Sequence, residues 1–182
     1  MPRPSSKERL LDAAAEVLLS EGAESLTLEA VAQRAGVSKG GLFYHFPTKQ
    51  ALVAAMVERL TKAFDDALAQ AGDAPGDFLR AYVRATIPER HTTAAPADRV
   101  TAALLAGVLV HPAGLEPLRE RFAAWQVRLT EDGVDPAAAT AVRLAVDGWW
   151  AVRLLGLSEP GPELHEGTRR YLMEAIDRAA RH

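Results

Sequence analysis

"GVSKGGLFYHFPTKQAL", residues 36–52, decides how the rest of the chain is read. Its apolar pair Leu42 and Phe46 is spaced i, i+4, the spacing of one helix face. Yet two adjacent glycines, Gly40 and Gly41, sit inside that helix, and Lys39 and Lys49 stand at two predicted helix starts. An interior glycine costs about 0.5–1 kcal/mol relative to alanine. A lysine near a helix N-terminus opposes the macrodipole by roughly 0.3–1 kcal/mol. A free helix gains nothing from these choices, whereas a helix pressed against a phosphate backbone does.

Working outward, the punctuation is clear on both sides. Ser5-Ser6-Lys7-Glu8 offers a capping box, and Leu10, Leu11, Ala14, Val17 and Leu18 form the stripe of a first helix that ends at Gly22. Thr27 is an N-cap for a short second helix with Val31, Ala32 and Ala35 on its inner face. Gly36 sits in a tight turn, Ser38 caps the third helix, Pro47 stops it, and Thr48 caps a long fourth. Two short helices joined by a glycine-containing turn, packed on a longer first helix, match a helix-turn-helix. The bland alternative is a plain helical hairpin.

In that setting the costly residues acquire uses. Gly40 and Gly41 remove side chains, so that backbone can approach a DNA groove closely. Lys39 and Lys49 stand beside free N–H groups at two helix starts and suit anions. Tyr44 and His45 carry donors that suit phosphate oxygens, and Phe43 is a flat apolar group that suits a thymine methyl. Net charge is -3, which argues against bulk attraction to nucleic acid. Locally, however, no acidic residue lies between Glu29 and Glu58, where Arg34, Lys39, His45 and Lys49 fall.

"TLEAVAQRAGVSKGGLFYHFPTKQAL", residues 27–52, closely resembles the N-terminal domain of TetR-family transcriptional regulators, and the likeness spans residues 6 to 55. The resemblance implies an all-α protomer of about nine helices. It implies a helix-turn-helix DNA-binding domain over residues 1–50, helix 4 (48–71) as connector, and a ligand-binding and dimerisation domain over 51–182. Carried over residue by residue, it implies a phosphate contact at Thr27. Ser38, Lys39, Gly40 and Gly41 take backbone and base contacts at the front of the recognition helix. Phosphate or sugar contacts fall at Phe43, Tyr44, His45 and Lys49. Position 41 is more often Thr, Ser or Ala in the family, and position 43 often Tyr, so Phe43 lacks a hydroxyl contact.

Beyond "GDAPGD", residues 72–77, the periodicity predicts five more helices over about 76–90, 97–110, 115–131, 136–156 and 162–181. "DGWWAVRLLGL" is similar to a run in helix 8 of many family members. Residues 137–157 are apolar nearly all round, and small at Gly148. The last helix has an apolar face of Leu164, Thr168, Leu172, Ala175, Ile176 and Ala179. Two such helices from each protomer would make a four-helix dimer interface, unless both bury their faces within one subunit. Phe78, Tyr82, Leu105, Trp125, Leu129 and Trp149 are candidates for lining a ligand pocket; each also suits ordinary core. Arg143 is spaced i, i+4 from Asp147 and is expected to pair with it.

The chain lacks cysteine, so disulfides and thiolate metal sites are excluded and a reducing cytoplasm is expected. Glu8, Asp12 and Glu16 interrupt any signal-type apolar stretch near the start. The most apolar segment, residues 144–157, is too short to span a bilayer and contains Asp147 and Arg153. No nucleophile–base spacing, phosphate loop or HExxH occurs, and His91 and His111 group into no metal site, so neither enzyme, cofactor nor metal is expected. The excess of arginine (17) over lysine (4) fits a GC-rich bacterial genome. The expectation is a dimeric regulator, most simply a repressor released from a palindromic double-stranded DNA operator by a small molecule. The alternative is a helical protein-interaction scaffold that has lost DNA binding.

Overall fold

The computed structural model describes residues 5–92, 96–110 and 116–180, with the side chains of 96–97 and 106–110 left aside; His111 lies outside it. Among the described residues the chain is all helical: α1 (Ser6–Glu21), α2 (Leu28–Ala35), α3 (Lys39–His45), α4 (Lys49–Leu68), α5 (Asp77–Thr86), α6 (Pro96–Val110), α7 (Glu116–Thr130), α8 (Pro136–Leu154) and α9 (Pro162–Ala179).

The helix starts are set by side chains. The Glu8 amide donates to Ser5 Oγ, Ala30 to Thr27 Oγ1, Gly41 to Ser38 Oγ and Ala51 to Thr48 Oγ1, at 3.1 to 3.2 Å. Each such cap satisfies one N–H that the helix itself leaves open and contributes about 1 kcal/mol. Gly36 ends α2 in the left-handed region (φ 64), and its amide returns to Ala32 and Gln33. Only glycine takes that conformation without a steric penalty, which is why the sharp turn between α2 and α3 has glycine.

The chain divides into two compact units. The first comprises residues 1–60 and 96–118, the second 61–95 and 119–182. The division falls inside α4, past the boundary at residue 50 suggested by the helix-turn-helix alone, and α6 joins the first unit because it packs on α1. In the first unit Leu10, Ala14, Val17, Val31, Leu42, Phe46 and Leu52 are buried together, with Leu104 of α6. Each large apolar side chain so buried contributes roughly 1.5–3 kcal/mol. In the second unit α5, α8 and α9 pack on one another around Leu79, Tyr82, Leu129, Val146 and Ile176.

α5 is shorter than its pattern suggests, ending at Thr86 rather than at residue 90. Pro88 explains the difference: it offers no N–H and drives Ile87 into extended backbone (φ -103, ψ 103). The start of α5 is held from a distance. Asp132, after α7, accepts hydrogen bonds from the Phe78 and Leu79 amides at 3.2 and 2.8 Å. Gly76 precedes them at φ 83, where a Cβ would come within 2.8 Å of Ile176. No described helix is long and apolar enough to cross a membrane.

Candidate nucleic-acid interface

The nine residues expected to meet DNA all fall in the first unit, from the start of α2 to the start of α4. Thr27 and Ser38 are exposed caps. Between them the α2–α3 turn holds α3 so that Leu42 is buried and the residues around it face out. Tyr44 is 85% exposed and Phe43 44%, a large apolar area for a surface of ordinary composition. A Cβ placed on Gly40 would meet nothing within 4 Å, and one on Gly41 only Ser38 Oγ at 3.4 Å. Neither glycine has positive φ. Nothing inside the chain therefore requires glycine at either position.

The cations of this stretch are not equivalent. Arg34 is turned to α1, 2.6 Å from Glu21 and 3.7 Å from Glu16. Lys39 Nζ lies 3.4 Å from Glu29 Oε1. The Glu29 carboxyl is held below its ordinary range by its own backbone amide and then by Lys39. Lys49 makes no ion pair among the described residues. His45 shares a 2.7 Å hydrogen bond with Ser6 Oγ and stands edge-on to Tyr44. His45 thus ties the end of α3 to the first turn of α1 while Tyr44 reaches outward. Sequence reading missed the roles of Ser6, Glu29 and Arg34, because pairs 10 to 39 residues apart carry no local signal.

Of the six candidate ligand-lining residues, Phe78, Tyr82, Trp125, Leu129 and Trp149 are buried in the core of the second unit; Leu105 belongs to the first. Tyr82, Trp125, Phe64 and Phe122 form a group of edge-on and tilted rings with centroids 4.9 to 6.3 Å apart. Carboxylates sit at its margin. Tyr82 donates to Asp147 at 2.7 Å, Arg143 pairs with the other oxygen of Asp147 at 2.7 Å as its spacing suggested, and Trp125 Nε1 donates to Asp65. Burial pushes the Asp147 carboxyl up, against the pull of Tyr82 and Arg143. Burial first, and then Asp147, push the Tyr82 phenol far up, so it stays a donor. Gln126 Oε1, Arg143 Nε, His165 Nδ1 and Arg169 Nε are buried with no hydrogen-bond partner among the described residues. At the other end of α8, His165 bonds Pro88 O and Arg153 bonds Thr92 O, closing the segment after α5. The His91 ring stands edge-on to the His165 ring, and no cluster of three metal-ligating side chains occurs among the described residues.

A capped helix-turn-helix with an outward aromatic face, joined to a helical unit with its own core, is the architecture of the helix-turn-helix transcriptional regulators. The chain belongs to the TetR family. "Bacterial regulatory proteins, tetR family" matches residues 10–56, and "Tetracyclin repressor-like, C-terminal domain" matches residues 76–177, more than half of the chain. The chain is 37% identical over 76 residues to tetracycline repressor protein class D of Escherichia coli, covering 41% of this chain and 35% of that one. It is 39% identical over 59 residues to the HTH-type transcriptional activator FasR of Mycolicibacterium smegmatis, covering 32% and 27%. The chain thus spans well under two thirds of the curated relatives it matches. Among solved structures, a TetR-family member from Streptomyces coelicolor A3 superposes with a TM-score of 0.72 at 25% identity, over 95% of this chain and 99% of that one. The multidrug binding protein EbrR, complexed with malachite green, gives 0.71 at 24% over the same shares, a likeness of fold.

Proposed function

We propose that the chain is the protomer of a homodimeric, ligand-responsive repressor that leaves a palindromic DNA operator when a small molecule binds. Residues 1–50 read DNA, α4 is the connector, and 51–182 hold the effector and the partner subunit. The observation that carries the DNA reading is the pair Gly40 and Gly41: helix-weakening residues with open space where a Cβ would stand. Close approach by something outside the chain accounts for them, and Tyr44 and Lys49 nearby suit a phosphate-lined groove, with Lys39 at the front of α3. Thr27, Ser38, Phe43 and His45 complete the contact surface.

An effector site in the second unit is supported by two buried polar atoms, Gln126 Oε1 and Arg143 Nε, that have no hydrogen-bond partner among the described residues of a unit that also holds a group of aromatic rings. It is also supported by relatives of this fold solved with malachite green and with choline. A homodimer is supported by exposed apolar side chains on α8 and α9, Leu144, Leu164 and Tyr171, and by Leu155 and Leu157 just past the end of α8. The protein works in the cytoplasm, where such an operator lies, and needs no cofactor.

The test is selection of duplexes from random DNA by the purified protein, followed by titration of the recovered sequence at several salt concentrations. A palindrome should be enriched. Its affinity should fall about 10³–10⁵-fold between 50 and 200 mM salt if the dimer neutralises roughly 6–10 phosphates. No enrichment of any duplex at low salt refutes the reading.

A further inference from the structure

The two lysines at helix starts differ in one respect that the DNA reading does not explain. Lys49 makes no ion pair among the described residues, whereas Lys39, at the first position of α3, has its ammonium 3.4 Å from Glu29 on α2. Glu29 follows the cap Thr27 by two residues, so α2 and its turn fix where the carboxylate stands. Both partners are well exposed, 68% and 58% for their side chains, so the pair adds little to folding. Its consequence is directional. An ammonium has three N–H donors; one engaged by Glu29 leaves two, aimed from the front of α3. A lysine so held is biased away from the sweep of phosphates that a free lysine reaches. It keeps the donors that guanine O6 and N7 accept in the major groove.

We infer that Glu29 is a positioning residue for base readout: it tethers Lys39 so that this cation reads base edges instead of neutralising phosphate. The inference rests on the DNA-reading function proposed above. On this account the ion pair persists in the specific complex, and Lys39 contributes little to counterion release. Lys49, with no carboxylate partner among the described residues, supplies the sequence-independent part.

The experiment compares wild type, Glu29→Ala, Lys39→Ala and the double variant. The probes are a random-sequence duplex and the best duplex that wild type selects, the latter also with each G·C pair exchanged in turn. Glu29→Ala should steepen the log–log salt dependence on random duplex by about 1 per protomer, because Lys39 is freed to meet phosphate. Preference for the guanine facing Lys39 should fall roughly two- to five-fold, the scale of an exposed ion pair. Both effects should vanish in the Lys39→Ala background, and Glu29→Gln, which keeps an acceptor but no charge, should fall between. An unchanged salt slope and base preference in Glu29→Ala overturns the tether. So does an effect that persists without Lys39, which would mean that Glu29 acts by repelling DNA on its own. If wild type itself binds no duplex, the DNA reading fails and takes the tether with it.

Discussion

At Gly40, stability and function are set against each other. Its Cβ position is open and its φ is not positive, so alanine fits there without strain. Gly40→Ala should therefore raise stability by about 0.5–1 kcal/mol in denaturant titrations. It should at the same time weaken binding to the selected duplex and shift its base preference. A variant that gained stability with unaltered DNA binding would remove the reason given for this glycine. Asp147 offers a second test at the same scale. Its folded carboxyl titrates above the ordinary aspartate value, chiefly through burial. Between that value and the raised one the folded chain holds more proton than the unfolded chain, so this residue's contribution to stability falls as pH rises through that window. In Asp147→Asn the contribution is absent. Acidification from neutral pH toward pH 4.5 should therefore move the stability difference between the two proteins in favour of wild type, as read by urea melts at each pH. A gap that stays constant, or moves toward the variant, contradicts the burial argument.

Among the elements, the helices that cap themselves were legible and those held from afar were not. Ser5, Thr27, Ser38 and Thr48 each cap within three residues, and the φ of Gly36 is a local matter, so the helix-turn-helix could be read directly. Which face of α3 points outward was legible for the same reason, since Leu42 and Phe46 fix the buried side. α5 is the contrary case. Its periodicity runs on toward residue 90 although Pro88 ends the helix at Thr86, and its start depends on Asp132, more than fifty residues away. The packing of α6 on α1 follows from tertiary contact alone, and so does the uptake of Arg34 by Glu21. Asp132→Ala should leave the Phe78 and Leu79 amides without their acceptor. A loss of about 1–3 kcal/mol is expected in chemical denaturation, with a smaller loss for Asp132→Asn, which keeps one acceptor. If alanine cost no more than a surface substitution, water would be capping α5 equally well.

For the whole molecule the question is what covers α8 and α9. Each helix has two apolar stripes. The inner ones, Val142, Val146 and Trp149 on α8 with Leu172 and Ile176 on α9, are spent within the second unit. The face expected on α9 is thus divided, because Leu172 and Ile176 are buried while Leu164 and Thr168 are exposed. The outer stripe of α8 runs through Ala141, Leu144 and Gly148, at helical spacing, with Leu155 exposed just past its end, and that of α9 runs through Leu164, Thr168 and Tyr171. A Cβ on Gly148 or on Gly167 would meet nothing within 4 Å, the pattern already seen at Gly40. Small and apolar residues together, left uncovered on adjacent helices, suit the close crossing of a second copy in a four-helix interface. Such an interface needs about 800 Å² from each partner, more than scattered surface leucines provide. A charge at its centre would be buried unpaired, so Leu144→Glu or Tyr171→Asp should split the dimer in sedimentation experiments while leaving helix content unchanged. The consequence at DNA follows from geometry. Two recognition helices placed about 34–36 Å apart bind one palindrome as a unit, and a lone protomer retains a single half-site. The same variants should therefore bind the palindrome no more tightly than one half-site, with roughly half the wild-type salt dependence. Dimers that persist with both outer stripes charged would place the partner on another face and free α8 and α9 from this role.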